Sequence, residues 1–149
     1  MVSQHFSVSN IMSMLKILVA DDQVVIRQIV VQHLHAMGFT DIDTVATSEG
    51  VEERMNGKRY DIVLLDWYMP GKGGFALMKG YREDRSYDNI AFVMITAESH
   101  EKSVIEALKA GATAYIIKPI QKKGFEEKIN KTVRWLENRA TSRQSTGKP

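Results

Sequence analysis

The sequence contains no cysteine and only three prolines in 149 residues. The absence of cysteine excludes a disulfide framework and thiolate metal sites. No apolar run reaches the length of a membrane-spanning helix, and the first 14 residues lack the basic and apolar segments of a secretory signal. We therefore expect a cytoplasmic protein that does not insert into a membrane.

The chain also lacks a strong charge of either sign, with a formal net charge of +2. Three of its 20 Lys and Arg residues, Arg139, Arg143 and Lys148, lie in the last eleven positions, so residues 1–138 hold 17 basic and 18 acidic groups. A nucleic-acid-binding domain usually concentrates basic residues on one face or along one helix. We predict that the protein has no nucleic-acid partner.

Short apolar runs alternate along the chain with longer segments of helical periodicity. This pattern predicts five strands and five helices joined by short loops, which is typical of an α/β protein with an open, doubly wound parallel sheet. The predicted strands are Lys16–Ala20, Ile42–Ala46, Asp61–Leu65, Ala91–Thr96 and Ala114–Ile117, and the predicted helices are Val24–Met37, Ser48–Asn56, Phe75–Glu83, Glu101–Ala110 and Gly124–Arg139.

We predict one folded domain over residues 15–139. Residues 1–14 are expected to be a disordered leader, and residues 140–149 a polar tail without apolar periodicity. Within the domain, Ser48 and Ser99 stand where helical runs begin and are predicted as N-caps.

Polar side chains lie at the ends of four of the five predicted strands. Asp21 and Asp22 follow the first strand, Asp66 follows the third, Thr96 ends the fourth and Lys118 follows the fifth. Doubly wound sheets bind ligands beyond the carboxyl ends of their strands. Three carboxylates brought together there repel one another unless a cation is present, and oxygen ligands favour Mg²⁺. One carboxylate is then placed to act as a nucleophile toward a phosphoryl group.

Four segments together resemble the receiver domain of two-component response regulators: VADD at 19–22, LLDWYMPGKGG at 64–74, MITAES at 94–99 and AYIIKP at 114–119. Within that family they are most similar to stand-alone, CheY-like chemotaxis receivers. The resemblance implies the flavodoxin-like strand order 2-1-3-4-5, which is known for CheY. It also implies a switch that is phosphorylated by a partner histidine kinase or histidine phosphotransfer protein.

The resemblance assigns a role to each residue of the acidic cluster. Asp66 would be the phosphoacceptor. Asp22, Asp66 and the backbone carbonyl of Tyr68 would bind Mg²⁺ directly, whereas Asp21 would act through a metal-bound water. Lys118 would contact the phosphoryl group, and its peptide bond to Pro119 is expected to be cis.

Four further roles follow from the same resemblance. Thr96 would also contact the phosphoryl group, and Tyr115 would change rotamer when Thr96 moves. Tyr68 and Glu98 would tune the lifetime of the phosphorylated state. The changing surface would comprise the fourth helix, the fifth strand and the fifth helix. The flagellar motor switch is one candidate target, although Ile120 replaces the aromatic residue that chemotaxis receivers typically carry after Lys-Pro.

A haloacid-dehalogenase-type phosphatase is the alternative that the same residue types leave open, because those enzymes also combine an Asp nucleophile with Thr or Ser and Lys. They require a second Asp two residues after the nucleophile, where this chain has Tyr68. Their acidic metal pair comes late in the chain, whereas Asp21 and Asp22 precede Asp66. We therefore predict no enzyme in the ordinary sense, only self-catalysed phosphorylation and dephosphorylation.

Overall fold

The computed structural model describes the backbone of residues 11–146 and the side chains of residues 11–141. The strands are β1 (Lys16–Ala20), β2 (Asp41–Val45), β3 (Ile62–Leu65), β4 (Ala91–Thr96) and β5 (Ala114–Ile117). The α-helices are α1 (Val24–Ala36), α2 (Ser48–Gly57), α3 (Gly74–Arg82), α4 (Glu101–Ala110) and α5 (Lys122–Thr146), and a 3₁₀ helix spans Arg85–Tyr87. Residues 11–14 are also helical.

The five strands form one parallel sheet in the order β2-β1-β3-β4-β5. The predicted fold class and strand order are confirmed. Because β2 and β3 lie on opposite sides of β1, the winding of the chain reverses between β1 and β3. The carboxyl ends of these two strands are the point at which doubly wound sheets bind their ligands.

Alternate residues of each strand face two different layers of helices. Leu18 and Ala20 pack in the cluster that contains the buried side chains of α2, α3 and α4, whereas Ile17 and Val19 pack in the cluster with α1 and α5. Every residue of β3 and β4 is buried, as expected for central strands covered on both faces. Among residues 11–146, no helix combines the length and the apolar character needed to span a membrane.

Two predictions about the chain ends differ from the structure. The last helix, predicted over Gly124–Arg139, spans Lys122–Thr146, so the segment predicted as a polar tail continues the helix to Thr146. Residues 147–149 lie outside the described part. At the other end, residues 11–14 are helical rather than disordered, because Ile11 and Met12 pack against the core. The rest of the predicted leader, residues 1–10, lies outside the described residues.

Both predicted N-caps are wrong by one position. Thr47 caps α2, and its Oγ1 accepts a hydrogen bond from the Gly50 N–H over 3.0 Å. His100 is the N-cap residue of α4 and makes no side-chain capping bond. Ser48 is the first residue of α2, and its hydroxyl contacts the β3–α3 loop instead of the helix backbone.

Candidate functional site

Asp21 and Asp66 leave the sheet at neighbouring positions because their strands are in register. Ala20 of β1 pairs with Leu65 of β3, and the Asp66 N–H donates a hydrogen bond to the Ala20 carbonyl over 3.1 Å. One carboxylate oxygen from each of Asp21, Asp22 and Asp66 lies within 4.8 Å of the other two. The structure therefore brings the three predicted carboxylates together at the switch point of the sheet.

Lys118 brings a positive charge to these carboxylates. Its Nζ lies 2.7 Å from Asp21 Oδ2 and 2.9 Å from Asp66 Oδ2. The ion pairs are buried, since the exposed fraction of the side chains is 11% for Lys118, 0% for Asp21 and 9% for Asp66. The Lys118 N–H donates to the Thr96 carbonyl over 2.9 Å, which ties the β5 end to β4. The Lys118-Pro119 peptide bond is cis, as expected.

The charges of this cluster are not balanced. Burial raises the pKa of the Asp21 carboxyl, and the Lys118 ammonium and the Gln23 N–H only partly oppose that rise. Burial alone would lower the pKa of Lys118, but Asp21 and Asp66 raise it. The 2.7 Å contact of Lys118 with Asp21 Oδ2 is an ion pair without hydrogen-bond alignment, so this buried oxygen has no aligned donor. Three clustered carboxylates with one lysine leave surplus negative charge, and an all-oxygen donor set with surplus negative charge fits a divalent cation.

The β3–α3 loop flanks the cluster with aromatic side chains. The Trp67 ring stacks on Phe75 with 4.3 Å between centroids and an interplanar angle of 9°. Tyr68 is 63% exposed, and its N–H donates to Asp66 Oδ1 over 3.3 Å. A Cβ at Gly74 would lie 2.0 Å from the Asp66 carbonyl oxygen, so glycine is required for this close return of the loop.

The predicted switch residues meet in the β4–α4 loop. Thr96 is fully buried, and its Oγ1 accepts from the Glu98 N–H over 3.4 Å. Tyr115 is turned inward, and its hydroxyl donates to the Glu98 carbonyl over 2.7 Å. Burial, followed by the Glu98 charge, raises the pKa of Tyr115 to about 12. The Glu98 carboxylate is engaged on the α4 side, by Ser103 Oγ at 2.9 Å and His100 Nδ1 at 3.1 Å.

A family model described as the response regulator receiver domain matches residues 17–130. The chain belongs to this family. It is 32% identical over 117 residues to the chemotaxis protein CheY of Pseudomonas aeruginosa, which covers 78% of this chain and 94% of the relative. It is 36% identical over 119 residues to the chemotaxis protein CheY-3 of Vibrio cholerae, and this match covers 78% of this chain and 90% of the relative. The structure of Vibrio cholerae CheY4 matches with a TM-score of 0.72 at 27% identity, over 80% of this chain and 98% of that one.

Membership in the receiver family establishes the class of function. Receivers are phosphorylation-dependent signalling switches, and they interact with histidine kinases or phosphotransfer proteins. The phosphatase alternative is not favoured. The sequence did not predict three contacts around the site. Gln23 Oε1 lies 3.4 Å from Lys118 Nζ, Ser48 bonds to the β3–α3 loop, and Ser103 bonds to the β4–α4 loop. No motif marks these residues, because their contacts depend on how the loops fold back.

Proposed function

We propose that this receiver accepts a phosphoryl group on Asp66 from the phosphohistidine of a partner kinase or phosphotransfer protein. A carboxylate oxygen of Asp66 forms a bond to phosphorus while the P–N bond breaks, and the electron pair leaves on the imidazole nitrogen. The observation that carries this proposal is the placement of three carboxylates and Lys118 at the switch point.

We infer that Asp22, Asp66 and the backbone carbonyl of Tyr68 hold Mg²⁺ directly, and that Asp21 holds it through a water. When bound, the ion offsets the negative charge of the phosphoryl group and of the carboxylates. The support is the unbalanced charge of the cluster and its all-oxygen donor set. Lys118 then supplies a point charge to one phosphoryl oxygen.

The output would be a changed binding surface on α4, β5 and α5. Thr96 would donate a hydrogen bond to the phosphoryl group and stabilise the inward rotamer that Tyr115 already has in this structure, which biases a two-state equilibrium toward that rotamer. Three large apolar side chains on this surface are exposed by 44–46%: Ile105, Leu108 and Ile117. A chemotaxis-type cytoplasmic pathway is the proposed setting, with the flagellar motor switch as a candidate target.

The acceptor is tested by phosphorylation with acetyl phosphate and Mg²⁺. One phosphoryl group should add to the wild type, and Asp66→Asn should abolish the mass increase. Asp61→Asn is the matched control, because Asp61 directly precedes β3 whereas Asp66 directly follows it, and Asp61 accepts a hydrogen bond from the Lys16 N–H. Equal labelling of Asp66→Asn and the wild type would refute Asp66 as the acceptor.

A further inference from the structure

We propose that Ser48 is a positioning residue for the metal site, because it holds the β3–α3 loop in the conformation that offers the Tyr68 carbonyl as a ligand. This inference rests on the proposed function. Ser48 lies on α2, which contributes none of the proposed ligands, and its own side chain does not belong to the acidic cluster.

Ser48 is fastened to the loop by three hydrogen bonds. Its Oγ accepts from the Lys72 N–H over 2.9 Å and lies 3.3 Å from the Pro70 carbonyl, to which it can donate. Its own N–H also donates to the Pro70 carbonyl, over 3.2 Å. The hydroxyl hydrogen has a second acceptor in Glu49 Oε1, also at 3.3 Å. With 1% of Ser48 exposed, water does not compete freely for these bonds.

The β3–α3 loop accommodates the Ser48 hydroxyl because a glycine lies against it. Gly71 lies between the two anchored residues and has a φ of +96°. A Cβ on Gly71 would lie 1.9 Å from Ser48 Oγ. The backbone can therefore pass Ser48 only at a glycine, which also tolerates the positive φ. The position of the Ser48 hydroxyl therefore requires that residue 71 has no side chain.

The anchor acts close to the proposed ligand. Only Met69 separates Tyr68 from Pro70, and the Met69 side chain is 8% exposed and packs in the core. On the other side, the Tyr68 N–H donates to Asp66 Oδ1. The carbonyl of Tyr68 is thus held between two fixed points. If the Ser48 hydroxyl is removed, the loop gains freedom that metal binding must then take away, which lowers the affinity.

Magnesium titration of the full-length protein, followed by Trp67 fluorescence and by calorimetry, tests the proposal. Ser48→Ala should raise the dissociation constant for Mg²⁺ by about threefold to tenfold, below the range of direct neighbours of metal ligands. Thr47→Ala is the matched control: it removes the bond between Thr47 Oγ1 and the Gly50 N–H at the same helix end, and it should leave the constant unchanged. Equal constants for Ser48→Ala and Thr47→Ala would refute the positioning role.

Asp22→Asn distinguishes this failure from failure of the metal site itself. If Asp22→Asn binds Mg²⁺ as the wild type does, the proposed ligand set is wrong and the role of Ser48 falls with it. If Asp22→Asn weakens binding and Ser48→Ala does not, only the positioning role is wrong.

A second measurement needs no variant and therefore does not depend on whether Ser48→Ala folds. In the wild type, Mg²⁺ should slow hydrogen exchange of the Lys72 amide, which is bonded to Ser48 Oγ, by at least about threefold more than that of the Gly50 amide, which is bonded to Thr47 Oγ1. Equal slowing of the two amides would contradict the proposal.

Discussion

Two clusters among the side chains described for residues 11–141 place a lysine between two aspartates. The site cluster consists of Asp21, Asp22, Asp66 and Lys118, and the edge cluster, on β2 and after α2, consists of Asp41, Asp43, Lys58 and Tyr60. Lys118 Nζ lies 2.7 Å and 2.9 Å from its two carboxylates in the site cluster. Lys58 Nζ lies 2.7 Å and 3.0 Å from its two carboxylates in the edge cluster. The paired side chains are at most 11% exposed in the site cluster and at least 24% exposed in the edge cluster.

The pKa of an aspartate is shifted in opposite directions in the two clusters. A 2.5 Å hydrogen bond from the Tyr60 hydroxyl, together with Lys58, lowers the pKa of Asp43. Burial raises the pKa of Asp21, whose Oδ2 has no aligned donor. The site cluster also has a third carboxylate, from Asp22. The same residue types are therefore structural where each charge is hydrogen-bonded, and ready for a cation or a phosphoryl group where negative charge is left over.

The largest contrast should come from removing each lysine. Lys118→Ala leaves buried carboxylates without a partner, and we expect it to lower the free energy of unfolding by about 3 kcal/mol at pH 7 in a chelator. Lys58→Ala removes a partly exposed pair and should cost less than about 1 kcal/mol. Denaturant unfolding measures both losses, and Mg²⁺ should restore part of the loss in Lys118→Ala. Equal losses would remove the distinction between the clusters.

The tyrosines beside the two clusters should differ in their effect on phosphate lifetime. Tyr68 is exposed next to Asp66 and is free to cover the approach of the hydrolytic water, whereas Tyr60 is 1% exposed and bonds to Asp43. Tyr68→Asn should therefore shorten the lifetime of the phosphorylated form about tenfold, or about 1.4 kcal/mol of barrier. Tyr60→Phe should not change it. The measurement is the loss of phosphate from each variant over time. If Tyr68→Asn loses phosphate no faster than the wild type, Tyr68 does not shield the phosphoryl group from water.

Neutralising one aspartate of each cluster should give small effects of opposite sign. The folded-state pKa of Asp21 lies above its ordinary 3.8, so Asp21 costs stability as pH rises through that pKa. Asp43 has a lowered folded-state pKa, so it contributes stability above pH 3.8 that is lost as pH falls through the folded-state value. At pH 7 without metal, Asp21→Asn should raise the free energy of unfolding by about 1 kcal/mol, and Asp43→Asn should lower it by about as much.

A pH series of unfolding curves provides the control for this pair. The difference between each variant and the wild type should shrink at acid pH, where both forms of the chain carry a neutral side chain at that position. The same sign of change for both variants at pH 7 would show that the two aspartates are equivalent.

The sequence was sufficient to predict the positions of Asp21, Asp66 and Lys118 because carboxyl ends of parallel strands converge whatever the helices do in detail. The edge cluster was not predicted. On β2, Asp41 and Asp43 look like ordinary alternating polar residues, and their pairing with Lys58 depends on where the chain returns after α2.

The predicted N-caps failed for a related reason. Thr47 and Ser48 are both good capping residues, and a sequence does not show which of them begins the helix. The choice is made by tertiary contacts, since the Ser48 hydroxyl is taken by the β3–α3 loop. The inward position of Tyr115 is likewise a matter of packing, because the Glu98 carbonyl that accepts its hydrogen bond lies in another loop.

Lys118 reaches the acidic carboxylates only when β5 pairs with β4. Pairing of β1 with β3 already brings Asp21 and Asp66 together. A chain in which β5 is not paired would therefore hold two close negative charges without the ammonium that balances them. Closure of these long-range contacts is slow compared with local structure, so the counter-charge arrives late whenever β5 is the last strand to pair. We therefore expect the proposed phosphorylation of Asp66 to require the completed sheet, and a fragment that lacks β5 should not accept phosphate.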